Sequence, residues 1–221
     1  MFVASKTAIY CNCSQLIFNV QFCTNYPAEV FMIIDDKKRD KLLNAIIYFS
    51  KNTRYCGKTK LFKLLYFLDF EHFKEVGRSV TGLSYNAWRM GPVPTKLLNE
   101  VEAQSDSEES KTDLSKVVKI KHVDVGKPYP MMTFTPLVDF NTQLFSKREI
   151  KLLERIAKEN NGLYGEEMVE KTHLPTLPWH RVHQVEENEL GEIPYHYAIA
   201  DDDVEMLEML AENKINEEVE S

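Results

Sequence analysis

Between Lys60 and Pro94 the chain reads KLFKLLYFLDFEHFKEVGRSVTGLSYNAWRMGPVP, a helical pattern that runs into a glycine-punctuated turn and then a Trp-Arg-Met-Gly-Pro corner. Leu61, Leu64, Leu65, Leu68 and Val76 recur at helical spacing, and Phe62, Tyr66 and Phe73 widen the apolar side. Lys60, Lys63, Glu71 and Lys74 gather on the other face, so the pattern predicts a core helix with a lysine-bearing outer edge. Asp69 breaks the pattern. A step of about 100° per residue places its carboxylate among Phe62, Leu65, Phe73 and Val76. A charge buried there needs hydrogen bonds or a counter-ion, and Arg78, Arg89, the Trp88 indole and the Tyr85 hydroxyl are the groups in reach.

Outward from this stretch, the 221 residues and 43% hydrophobic content suffice for a proper core without staples. The 27 basic and 34 acidic residues give a net charge of −7, which disfavours nucleic acid or an anionic membrane as partner and favours a protein. No segment approaches the roughly 18 apolar residues of a membrane span. The stretch from Leu16 to Phe22 is interrupted by Gln15, Asn19 and Gln21 and lacks a signal-peptide core, so a cytoplasmic address is expected. Four cysteines stand at 11, 13, 23 and 56. Cys11-x-Cys13 has no second ligand pair, so free thiols are expected, with no metal and no cofactor.

The first 31 residues carry neither a clean period nor a charged face, and a methionine follows at Met32. Residues 1–31 are therefore read as an extension, with natural translation expected from Met32. The domain is assigned to residues 32–213 and an acidic tail to 214–221. Asp35 or Asp36 is expected to cap a first helix through Leu42, Leu43, Ile46, Ile47 and Phe49 to about Ser50, and Thr59 to cap the long helix that stops near Gly77. A short helix follows over Thr95 to Val101. Residues Glu102 to Lys116, with Leu114 their one large apolar side chain, read as an exposed loop. Val117 to Val125 alternates, turns at Gly126-Lys127-Pro128 and resumes at Met131 to Phe134, the pattern of a small hairpin. Ser146 and Glu149 form a capping box for a helix that stops at Asn160-Asn161-Gly162. A short helix over Gly165 to Lys171 leads into a rigid double-proline loop, and Asp201 to Asp203 can cap a last helix over Val204 to Glu212. The sum is a mostly α chain with a small β-hairpin, an α+β class.

Three motifs invite chemistry. Gly57-Lys58-Thr59 precedes a helix as in a phosphate-binding loop, but Asn52 stands where that motif needs glycine, and helix capping is the better reading. Asp69 and His72 lie three apart on one helix and could form an acid/base dyad or a metal pair, or a satisfied buried network. His173, His180 and His183 cluster with Trp179 and could bind zinc, or His173 and Trp179 could pin their loop to the core. No serine or cysteine sits in a nucleophile context.

Lys60, Lys63, Leu64, Leu65, Tyr66, Asp69, Gly77, Arg78, Thr81, Gly82, Tyr85, Ala87, Gly91, Pro92 and Val93 together resemble the signature of the Panacea domain, the SocA-like antitoxin domain also found in phage-associated GepA-type proteins. Thr172-His173, Pro178-Trp179 and Ile193-Pro194-Tyr195 look like the family's later half, so the resemblance spans about residues 36–203. It implies a compact helical domain and a non-enzymatic antitoxin of a type II toxin-antitoxin system. Such an antitoxin neutralises the product of an adjacent toxin gene by direct binding. The resemblance also leaves an alternative, a ClpXP-type protease adaptor or a phage-associated host-interaction protein that uses the same domain without neutralising a toxin. Some carry a DNA-binding region, for which neither end here has a helix pair.

On this reading Tyr66, Asp69, Gly77, Arg78, Thr81, Gly82, Gly91, Pro92, His173 and Trp179 build the fold. Lys63, Lys74, Tyr85, Trp88 and Arg89 are the expected toxin contacts. A metal-dependent hydrolase using Asp69, His72 and the late histidines is the competing class.

Overall fold

The computed structural model describes residues 28–106, 112–124, 126, 130–200 and 203–210, without the side chains of 28–36 and 106. Helix α1 (Ala28–Asn52) leads into α2 (Lys58–Val76), which packs against α1 and against elements from the rest of the chain. A tight hairpin follows, β1 (Asn86–Trp88) with β2 (Gly91–Val93), and then α3 (Thr95–Asp106) and α4 (Asp113–Val117). A second antiparallel pair, β3 (Val118–Val123) and β4 (Met131–Pro136), places Ile120 opposite Phe134 and His122 opposite Met132. The rest is helical: α5 (Lys147–Glu159), α6 (Gly165–Thr172), and α7 (Pro178–His180), which runs into a π-helical turn (Arg181–Val185). The protein is mostly α with two small two-stranded sheets, as its pattern predicts. Among the described residues no helix is long and apolar enough to cross a membrane.

Local chemistry sets most boundaries. Gly77 ends α2 in the left-handed conformation (φ 68°), its N–H donating to the Phe73 carbonyl at 2.7 Å. Residues Met209 and Leu210 of the last described helix, 204–210, press on that glycine, so a side chain there would collide with them. Asp203 caps the start of that helix, accepting from the Met206 N–H at 3.2 Å. The Ser146–Glu149 capping box of α5 forms as expected. Glu149 also accepts from Lys41 at 2.6 Å and so ties α5 to α1.

Three expectations need correction. Gly57, not Thr59, is the N-cap of α2. Asp35 and Asp36 lie inside α1, which is already helical at Ala28 and runs through Met32. Residues 102–106 belong to α3, and 113–117 form α4, whose fully buried Leu114 fixes it to the core. Leu114, with Val117 packed beside it, anchors a turn of helix that the polar composition had hidden. Cys56 is a free thiol, while Cys11, Cys13 and Cys23, with most of the expected extension and the 214–221 tail, lie outside the described residues.

Candidate functional site

Helix α2 is buried nearly all round from Lys60 to Phe70, which includes three charged side chains. The lysine-bearing outer edge expected at Lys60 and Lys63 does not exist, since each is only 1% exposed. Lys60 escapes the cost of burial because its Nζ donates to three carbonyls, Arg54 (2.7 Å), Leu163 (2.7 Å) and Asn161 (3.0 Å). All three ammonium protons are thereby used, and the α1–α2 and α5–α6 connections are tied to one point. Lys63 Nζ donates to the Pro92 carbonyl of β2 at 2.7 Å. Burial pushes its ammonium down to about 7.

Asp69 organises the third connection. Its Oδ1 accepts from the Val80 and Thr81 N–H groups (2.9 and 2.7 Å), and its Oδ2 from the Thr81 and Tyr85 hydroxyls. Neither Arg78, Arg89 nor the Trp88 indole supplies the partner: the turn from Val80 to Tyr85 does, with neutral donors. Burial raises the carboxyl above its usual range, with these four hydrogen bonds pulling the other way. Next to it, His72 Nδ1 meets the Arg78 carbonyl at 2.6 Å.

The corner beyond is closed from the C-terminal half. The Trp179 indole N–H donates to the Trp88 carbonyl at 2.9 Å. Its ring lies between His173 (3.8 Å between centroids, 6° between planes) and His183 (4.5 Å, 21°). Trp179 thus pins its loop to the core. Gly91 completes the corner at φ +91°, where a Cβ would lie 2.6 Å from Thr172 Oγ1 and 2.8 Å from Lys63 Nζ. Only glycine fits there.

Of the expected toxin contacts, Lys63 and Tyr85 are interior and present nothing to a partner, because the fold spends them on Pro92 and Asp69. Trp88 is half-buried, and Arg89 and Lys74 are exposed. Nor does the structure gather the residues of a hydrolase. Asp69 and His72 are turned to backbone and hydroxyl groups of the 78–85 segment, while His173 and His183 stand on opposite faces of Trp179. Among the described residues no group of three or more His, Cys, Asp or Glu is placed to hold a metal ion. Lys58 of the Gly57-Lys58-Thr59 motif reaches across to Glu102 at 2.8 Å.

Sequence reading missed an open groove of about 800 Å³. Its walls come from the α1–α2 connection (Tyr55, Gly57), the first residue of α2 (Lys58), the β1–β2 turn (Met90), the β3–β4 hairpin (His122, Met131, Met132) and the start of α6 (Tyr164, Glu166). Tyr55 and Tyr164 stack with centroids 4.3 Å apart, yet each remains about half exposed, as does Met90. These residues fall in separate segments far apart in sequence, so no periodicity brings them together. A groove of exposed aromatic and methionine side chains suits the seating of another macromolecule's apolar side chains.

Buried polar side chains that hold loops in place, and an apolar groove that the described residues line, sit on a mostly helical domain. The chain matches the model of the antitoxin SocA-like Panacea domain over residues 61–180, more than half its length, and belongs to that family. No curated protein and no solved structure matches it.

Proposed function

We propose that this protein is the antitoxin of a toxin-antitoxin pair and silences its toxin by direct, non-covalent binding. The observation that carries this reading is membership of the antitoxin family. The structure is compatible with it in a specific way. The family-like polar residues Lys60, Lys63 and Asp69 are buried and hydrogen-bonded to the connections that they hold. The exposed Tyr55, Met90 and Tyr164 supply a surface of the kind that proteins bury on association. A net charge of −7 favours a basic protein partner over nucleic acid.

Co-expression tests the reading. The product of the neighbouring reading frame is induced alone and together with this chain, in a host with its Clp proteases and in one without. Direct neutralisation predicts restored growth in both hosts. Growth restored only with protease present makes the protein an adaptor, and growth restored in neither overturns the antitoxin reading.

A further inference from the structure

We propose that His173, stacked on Trp179, is a proton-sensitive latch: neutral, it holds residues 173–193 against the β1–β2 corner, and on taking up a proton it loosens that hold. The latch goes beyond neutralisation and stands whether or not the partner is a toxin.

The segment it holds is joined to β1 along its length. The Trp179 indole donates to the Trp88 carbonyl at 2.9 Å. Further on, the Leu190 N–H donates to the Ala87 carbonyl (2.9 Å), the Ala87 N–H to Gly191 (2.8 Å) and the Ile193 N–H to Tyr85 (2.8 Å). Trp179 and Val182, each 1% exposed, seat the stretch between α6 and this edge. Within it, Glu187 (φ 52°) and Leu190 (φ 64°) take the left-handed backbone that side chains disfavour. The segment is therefore kept in shape by its contacts more than by its own preference.

The latch itself is a sandwich. The His173 and Trp179 rings lie 3.8 Å apart between centroids and 6° from parallel, and His183 covers the other indole face at 4.5 Å. Nε2 of His173 is out of reach of water and has no hydrogen-bond partner among the described residues. A neutral imidazole tolerates this with a lone pair on Nε2 and its proton on Nδ1, whereas an imidazolium carries an N–H at both nitrogens. The titratable groups that act on the ring are Lys63 of α2, and His183 and His180 beside Trp179, none of them a carboxylate. On α6 itself Glu170 is exposed and Lys171 donates to Asn160 at 2.8 Å, and Arg89 of the β1–β2 turn is exposed.

Two features favour the cation, the indole face and the C-terminal end of α6, which His173 caps. Both are smaller than the loss of hydration at a buried, unpaired nitrogen. Burial first, and then Lys63, accordingly pull the imidazole below its ordinary range. A group so held binds fewer protons in place than when released. The hold is complete above about pH 6.5 and is lost as pH falls below it.

Amide hydrogen exchange of the full-length chain at pH 7.5 and 5.5, corrected for the intrinsic rate and read by mass spectrometry, tests the latch against His173→Phe. Phenylalanine keeps a flat ring on Trp179 and takes up no proton. In the parent, exchange in residues 178–193 is expected to quicken tenfold or more at pH 5.5 while peptides of α1 and α5 stay within twofold, and His173→Phe is expected to remove the difference. A histidine-resolved NMR titration of the parent, with His173 titrating below 6.5, gives a second reading should the variant fail to fold. Three outcomes overturn the latch: equal exchange at both pH values, an acid response that persists in His173→Phe and so belongs to another group such as Lys63, or His173 titrating at or above 6.5.

Discussion

The Tyr85 hydroxyl donates to Oδ2 of Asp69 at 2.8 Å, and both side chains are buried. The pair joins the middle of α2 to the far end of the turn that follows it, sixteen residues on. An acid on the apolar side of a helix is thus the organiser of a loop. Asp69→Ala leaves four donors unpaired and is expected to cost about 3–5 kcal/mol, whereas Tyr85→Phe removes one and is expected to cost about 1–2 kcal/mol. Urea denaturation of both variants checks the ranking. A loss below about 1 kcal/mol for Asp69→Ala would mean that the carboxylate is not structural.

Lys63 gives the stability a pH dependence. Its ammonium is held near 7 in the fold, against 10.5 for the free side chain, so the folded state binds fewer protons than the unfolded chain between those values. Stability is fully present above pH 10.5 and is lost as pH falls towards 7, with a slope of up to about 1.4 kcal/mol per pH unit. Lys63→Met loses the bond to Pro92 but carries no proton. The parent should therefore gain roughly 2–3 kcal/mol on the variant between pH 7.5 and 9.5. Parallel denaturation curves across that range would show that Lys63 keeps its ordinary affinity for protons.

Gly91→Ala tests the corner. The new methyl would meet Thr172 Oγ1 and Lys63 Nζ below 3 Å, in a backbone conformation that side chains avoid. The expected cost is about 2–4 kcal/mol, read by chemical denaturation. A neutral result would mean that α6 and β2 are less closely packed than described.

Much of this was legible in the sequence, for reasons that can be named. Ser146 and Glu149 announce a capping box because both partners are three residues apart. The β3–β4 hairpin shows as alternation, and Asp69 stands out because its position contradicts its charge. The burial of Lys60 and Lys63 was not legible. A lysine opposite an apolar stripe reads as solvated, and the carbonyls that hold Lys60 include Asn161 and Leu163, about a hundred residues away. The Tyr55–Tyr164 stack eluded the sequence for the same reason.

Of the contacts expected from sequence, Lys74 and Arg89 remain on the surface, and they separate two places for the interface. Lys74 borders a smaller hollow of about 230 Å³ with Glu71, Lys171 and Leu174, whereas Arg89 adjoins Met90 at the large groove. Lys74→Glu is expected to keep neutralisation within twofold of the parent in a growth assay, and Met90→Lys to abolish it. The opposite result would move the interface to the C-terminal end of α2.

The central claim is that this protein holds a toxin without altering it, and calorimetric titration of the purified chain into the neighbouring frame's product, with intact mass recorded before and after, tests it most directly. The account predicts a saturable, stoichiometric complex with both masses unchanged. No heat of binding, or a changed mass in the partner, would contradict it.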